Sequence, residues 1–215
     1  MPLNIRAIIG MAGVGVVVIG AGIGAVRGAR AMKKWLESGH NVAFIGRPAT
    51  GKSTMVHVLA HDDVPKSAPA PTVNAEPVEI TLPSGLVVTV IDSGGDRLGQ
   101  QHQAVDRSNR VVYFFDASRL AAGDPDTLSA LEADADHIRT LFQKAKHSRR
   151  FTLVGTHADL MNAEDVASLK RHRTIQTLRQ AAGAGSDDVV IGSLATKEAA
   201  VELSTQMATS QLRRT

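Results

Sequence analysis

The apolar run NVAFI leads straight into GRPATGKST, and that juxtaposition limits the fold more than any other feature of the chain. Residues 46–53 match GxxxxGK[ST], with Gly46, Gly51, Lys52 and Ser53 at the fixed places. The spacing has a chemical reason. Glycines let backbone N–H groups turn inward around an anion, the lysine reaches the outer phosphates, and the hydroxyl ligates a divalent cation. The apolar residues 42–45 predict a strand before the loop. Residues 53–60 (STMVHVLA) predict a helix whose N-terminus faces the anion. Arg47, Pro48, Ala49, Thr50 and Thr54 fall in or beside the same expected phosphate contact. A plain glycine turn matches the pattern too, but does not require a strand on one side and a helix on the other.

At 215 residues the chain is long enough for one domain with a sizeable core plus an appendage. Only 3% of residues are aromatic, which leaves few surfaces for stacking nucleic-acid bases. The formal charge of +3 is mildly basic and does not suggest a polyanion binder. With no cysteine, disulfides and thiolate metal sites are excluded. His57 and His61 lie four apart on the helix after the loop, which is metal-ligand spacing. No third ligand is suitably spaced, so the pair reads as solvent-facing or core histidines.

The appendage is N-terminal. Residues 7–26 (AIIGMAGVGVVVIGAGIGAV) carry no charge and, as a helix, extend about 30 Å, the thickness of a bilayer's hydrocarbon core. A soluble core helix normally keeps a polar face, and this segment has none. A cleaved signal peptide also fits its small residues, but would export a nucleotide-dependent domain. The expected division is therefore a tail over 1–6, a transmembrane helix over 7–26, a basic connector over 27–40 and a globular domain over 41–215. Arg27, Arg30, Lys33 and Lys34 crowd the C-terminal flank, so the positive-inside rule leaves the globular part in the cytoplasm. Gly20, Gly24 and Gly28 recur every fourth residue and form a strip on which another helix could pack, a route to a homo-oligomer.

Further stations follow in order. VPKSAPAPTVNAE contains Pro71-Thr72, and the alternative reading of this stretch is a linker that happens to hold a threonine. LVVTVIDSGGD reads as a buried strand ending in Asp92, with Gly95 and Asp96 behind it. RVVYFF (residues 110–115) and Asp116 extend a sheet. Asp124-Pro125 opens a helix as N-cap and first-turn proline, and Leu128, Leu131, Ala135, Ile138 and Leu141 give it a buried face. FTLVGTHADL ends a strand in Thr156-His157-Ala158-Asp159, and IGSLATKEA places Ser193-Leu194 after a final strand over 189–191, followed by a closing helix over 196–212.

From residue 41 onward these stations resemble the small GTPases, particularly the Arf-like group and the membrane-anchored β subunit of the signal-recognition-particle receptor. The resemblance implies an α/β phosphate-loop G domain with a six-stranded, mostly parallel sheet flanked by helices, binding GTP or GDP with Mg²⁺. By analogy with that family, Ser53 and Thr72 ligate the metal, and Asp92 supports it through water. Gly95 meets the γ-phosphate. Asp159 accepts from the N1–H and 2-amino groups of guanine, donors that adenine does not present there. Thr156 and His157 stand where the family carries asparagine or threonine and lysine, and Ser193-Leu194 stand near its [ST]A[KL] loop. Asp96 occupies the position of the water-orienting glutamine in DxGGQ. Its short, charged side chain is poorly suited to that task beside a polyphosphate, so the expected hydrolysis is slow, with Asp96 and Thr72 as the catalytic pair.

Three functional readings follow: a membrane-anchored GTPase switch that recruits a partner, a degenerate scaffold that holds its nucleotide permanently, and an ATP-dependent enzyme sharing only the loop. The basic runs over 144–150 (KAKHSRR) and 170–173 (KRHR) are expected at solvent-facing helix ends, with attraction to anionic headgroups as a further reading. A single helix is expected over 163–181, and an antiparallel edge strand over 74–82, turning at 83–85.

Overall fold

The computed structural model describes residues 41–61, 63–67, 76–81, 87–92, 98–143, 150–183 and 189–212. The expected membrane helix with Gly20, Gly24 and Gly28, the connector, Thr72, the turn at 83–85, Gly95, Asp96 and residues 144–149 lie outside them. Among the described residues no helix is long and apolar enough to cross a membrane.

The core of the domain is a six-stranded sheet in the order β2-β3-β1-β4-β5-β6. Its strands are β1 (Asn41–Gly46), β2 (Glu76–Thr81), β3 (Val87–Asp92), β4 (Arg110–Asp116), β5 (Arg150–Thr156) and β6 (Val189–Ile191). Strand β2 runs antiparallel to β3 at the edge, as expected, and every other pairing is parallel. Parallel strands need crossovers, and helices α1 (Lys52–His61), α2 (Leu98–Asp106), α3 (Ala117–Ala121), α4 (Pro125–Gln143), α5 (Ala163–Leu169), α6 (Arg173–Ala182) and α7 (Lys197–Leu212) lie between or after them.

The strands alternate with period two, which creates two cores. Ala43, Ile45, Val111, Tyr113, Phe115 and Leu153 face α2 to α6 on one side. Val42, Phe44, Val112, Phe114 and Val154 face Met55 and Val56 of α1 and Leu203 and Met207 of α7 on the other. Phe44 and Phe114 are fully buried with ring centroids 5.0 Å apart. That layer joins β1, which delivers the loop, to β4.

The stripe predicted for α4 is present. Leu131, Ala135, Ile138 and Leu141 are buried, and Leu128 packs against the same core. Asp124 caps the helix, accepting from Thr127 N at 3.0 Å.

Two expectations are corrected. The short helix α3 sits where only a strand end was expected. Asp116 Oδ1 accepts from Arg119 N at 3.0 Å and caps it. The helix expected over 163–181 is two helices. Between buried Leu169 and Thr174 stand Lys170, Arg171, His172 and Arg173, none of which anchors in the core. His172 is extended (ψ 137°), and its Nδ1 accepts from Thr174 N to begin α6. The KRHR run does lie at solvent-facing helix ends, joining the end of α5 to the start of α6. Of the run over 144–150, Arg150 is the described residue, and it opens β5 opposite Arg110.

Candidate functional site

The loop after β1 has the geometry its sequence demands. Gly46 (φ +130°) pairs with Phe114 across the sheet, and a Cβ there would lie 2.2 Å from the Phe114 carbonyl oxygen. Gly51 (φ +85°) lies so close to Leu194 that a Cβ would meet its Cδ1 at 2.6 Å. Between them Ala49 also adopts a positive φ of 60°. At the two glycine positions the turn needs a residue without a Cβ. The loop then enters α1 at Lys52, so Ser53 and Thr54 occupy the first turn, where backbone N–H groups have no helical partner.

Lys52 is only 5% exposed. Its Nζ donates to the carbonyl oxygens of Gly46 at 3.0 Å and Arg47 at 2.7 Å, which draws the ammonium across the mouth of the loop. Thr50 Oγ1 donates to the same Arg47 carbonyl at 2.8 Å. A cation, a helix N-terminus and a glycine cradle thus converge, and this donor set fits a polyphosphate. Asp92, the last residue of β3, pairs with Phe44, two residues before the loop. Its backbone therefore lies one strand from the loop mouth.

The other half of the site is the edge formed by β5 and β6. Thr156 is buried, and its hydroxyl lies 3.2 Å from the carbonyl oxygens of both Thr50 and Phe115. His157 adopts a left-handed backbone (φ +62°). Its Nδ1 is 3.0 Å from Thr156 Oγ1 and 3.5 Å from Asp116 Oδ2. Asp159 lies in a 3₁₀ turn (Ala158–Leu160), and its Oδ1 accepts from Ser193 Oγ at 2.5 Å. Ser193 Oγ in turn accepts from Ala195 N at 3.0 Å. The turn is pinned to the end of β6, since Ala158 N donates to Gly192 O at 3.1 Å. An exposed carboxylate held by a neighbouring loop, with a half-buried imidazole beside it, suits recognition of a planar ring that offers paired donors.

The structure therefore gathers Gly46 to Thr54, Thr156, His157, Asp159, Ser193 and Leu194 at the C-terminal edge of the parallel strands, as expected for ligand sites in open α/β sheets. Thr72, Gly95 and Asp96 lie outside the described residues. His57 and His61 are neighbours on α1, with ring centroids 4.5 Å apart and the rings tilted by 49°. Among the described residues no group of three His, Cys, Asp or Glu gathers around a metal position.

Sequence reasoning missed three residues beside the loop: Asp134, Tyr113 and Asp116. Arg47 leaves its outer side to meet Asp134 of α4, with Nε to Oδ2 at 2.9 Å and Nη2 to Oδ1 at 2.6 Å. Tyr113 donates its hydroxyl to the same Oδ2 at 2.5 Å. Burial and then the Asp134 carboxylate push Tyr113 well above its ordinary pKa of 10, so it stays a donor. The hydrogen bond to Asp134 holds Arg47 above its own ordinary value. The signal was available: an aspartate at 134, on the apolar stripe between Leu131 and Ile138, has to be paired. Asp116 is the third, a strand-end carboxylate that both caps α3 and faces His157.

The family described as 50S ribosome-binding GTPase matches residues 41–155. Over 82 residues the chain is 34% identical to the tRNA modification GTPase MnmE of Jannaschia sp. (strain CCS1), a match covering 34% of this chain. The chain spans 19% of that relative's length.

Proposed function

The chain belongs to the family of 50S ribosome-binding GTPases, and from that premise we propose that it is a membrane-anchored GTP-binding switch that hydrolyses its nucleotide slowly. The observation that carries the guanine-nucleotide reading is the joint between the two half-sites. Thr156 Oγ1 reaches the Thr50 carbonyl at 3.2 Å, so the turn carrying Asp159 and the loop carrying Lys52 are held at a fixed separation.

In this reading Lys52 and the loop amides bind the phosphates, and Ser53 and Thr72 ligate Mg²⁺ with Asp92 behind them. Magnesium supplies neutralisation of the β- and γ-phosphate oxygens. Gly95 reads the γ-phosphate. Asp159 selects guanine, His157 covers its face, and Ser193 and Leu194 back the base. Affinities of the full-length chain for GDP, GTP and ATP test the assignment. Tighter binding of ATP than of guanine nucleotides would end it.

The membrane half of the proposal rests on the charge-free residues 7–26 and the four cations at Arg27, Arg30, Lys33 and Lys34. The anchor and the DSGGD wording together favour an arrangement like that of the receptor β subunit, in which the GTP state recruits a partner at the bilayer. Alkaline carbonate extraction tests the anchor, since an integral segment stays with the membrane and a peripheral domain leaves it. A second reading has Asp96 as its support: a domain that keeps its nucleotide and serves as a docking subunit. Single-turnover hydrolysis that a partner accelerates would reject that second reading.

A further inference from the structure

The bond between Arg47 and Asp134 spans 87 positions of sequence and ties the phosphate loop to the middle of α4. Asp134 is 7% exposed, and its position on the helix belongs to the apolar stripe. Its two oxygens accept from Arg47 Nε, Arg47 Nη2 and Tyr113 Oη, and a second contact runs from Arg47 Nη2 to the Ala130 carbonyl at 3.2 Å. Tyr113 lies in the fully buried layer of β4, the strand that pairs with β1. The arrangement fixes a guanidinium from two sides in a fork geometry that lysine does not reproduce.

For stability alone the pair offers little. The Arg47 side chain is 41% exposed while that of Asp134 is 9% exposed, and an ion pair open to solvent on one side gains little from its Coulomb attraction. What the pair adds is position. The backbone of Arg47 offers the carbonyl that accepts from both Lys52 Nζ and Thr50 Oγ1. When the side chain is immobilised, so is that carbonyl, and with it the direction of the ammonium.

We propose that Arg47, Asp134 and Tyr113 form a clamp that positions the phosphate loop and sets how slowly it releases nucleotide. The inference rests on the reading of this loop as a nucleotide site. Arg47 and Asp134 are positioning residues: they act on phosphate through the Arg47 carbonyl, Thr50 and Lys52.

The test uses the full-length chain in detergent, with the release rate of a fluorescent GDP analogue and the melting midpoint without nucleotide as paired readouts. Asp134→Asn and Arg47→Met each remove the charge pairing, and each should speed release about tenfold or more, the size expected for a charge-assisted bond. The double variant Arg47→Met/Asp134→Leu should recover the melting midpoint while keeping the fast release. A merely structural pair would recover both. Release within about twofold of wild type in a double variant with restored melting overturns the clamp. Should that variant not fold, Tyr113→Phe and Arg47→Lys decide the matter, because both leave the carboxylate beside a cation or donor. Faster release in both supports the clamp, and wild-type release in either overturns it. A wild-type chain that binds no GDP analogue at all would be a different failure, that of the loop assignment itself.

Discussion

Thr156 Oγ1 and the carbonyl oxygen of Thr50 lie 3.2 Å apart, so a residue at the end of β5 holds the phosphate loop from the side of Asp159. The contact is made by a hydroxyl in a buried position, where an unpaired carbonyl carries a desolvation cost. Thr156→Val keeps the shape and removes the donor. It should cost about 1–2 kcal/mol of stability, and GDP affinity should fall by a similar free energy, about tenfold. Calorimetric titration beside urea unfolding measures both. Thr156→Ser, which keeps the hydroxyl, should retain most of the affinity.

Gly46 and Gly51 make different demands on the same loop, and their substitution should separate folding from binding. At Gly46 a Cβ meets strand backbone, which cannot yield, and φ is +130°. Gly46→Ala should destabilise by roughly 2–4 kcal/mol, the range of combined strain and overpacking. At Gly51 the obstruction is the tip of Leu194, a flexible side chain. Gly51→Ala should cost less, about 1–2 kcal/mol, and act chiefly on nucleotide binding because Leu194 is displaced toward the base side. Denaturant midpoints and GDP affinities of the two variants give the comparison.

Acid should weaken the domain through His137 of α4. Burial first, then the neighbouring His102 of α2, lower its pKa from the ordinary 6.5, against an opposing pull from Asp134 and with a smaller lowering by Arg47. The two imidazole rings meet edge-to-face with centroids 4.9 Å apart, and His137 Nε2 is buried without a hydrogen-bond partner among the described residues. The unfolded chain takes up a proton near 6.5 and the folded chain resists until lower pH. The unfolded state therefore binds more protons in that window, and stability falls as pH falls through it. His137→Leu should remove this acid limb and leave the unfolding midpoint flatter below pH 6.5, the ordinary value, measured by urea titration at stepped pH.

What the sequence made legible is the part of the fold written locally. The strand before GRPATGKS, the Asp124 cap, the α4 stripe and the antiparallel edge strand all rest on spacing within one element or between adjacent ones. The split between α5 and α6 was harder to see. The polar run Lys170–Arg173 would stay helical in a longer apolar context, and the break arises because no core contact holds it between Leu169 and Thr174. Helix α3 was missed because Asp116 ends a strand and caps a helix in the same residue. The Arg47 partner could not be read by spacing at all, since the topology alone brings α4 to the loop. An aspartate within an apolar stripe indicated only that some cation had to arrive.

The base side yields the sharpest prediction. Asp159 presents two acceptor oxygens, one of them engaged by Ser193 Oγ at 2.5 Å, and guanine offers two donors along one edge. Asp159→Asn keeps the size and the bond to Ser193 but turns half of that edge into a donor, which then faces the 2-amino group. A mismatched donor pair in a site built for acceptance is rejected strongly, so GDP affinity should drop about a hundredfold or more. The phosphate half is untouched, and ATP binding, weak at the outset, should not change. Ser193→Ala frees the carboxylate without altering its chemistry, and the loss should be smaller, about threefold to tenfold. Competition of GDP, GTP and ATP against a fluorescent guanine nucleotide resolves both. Equal losses for guanine and adenine nucleotides in Asp159→Asn would mean that the residue supports the fold and does not read the base.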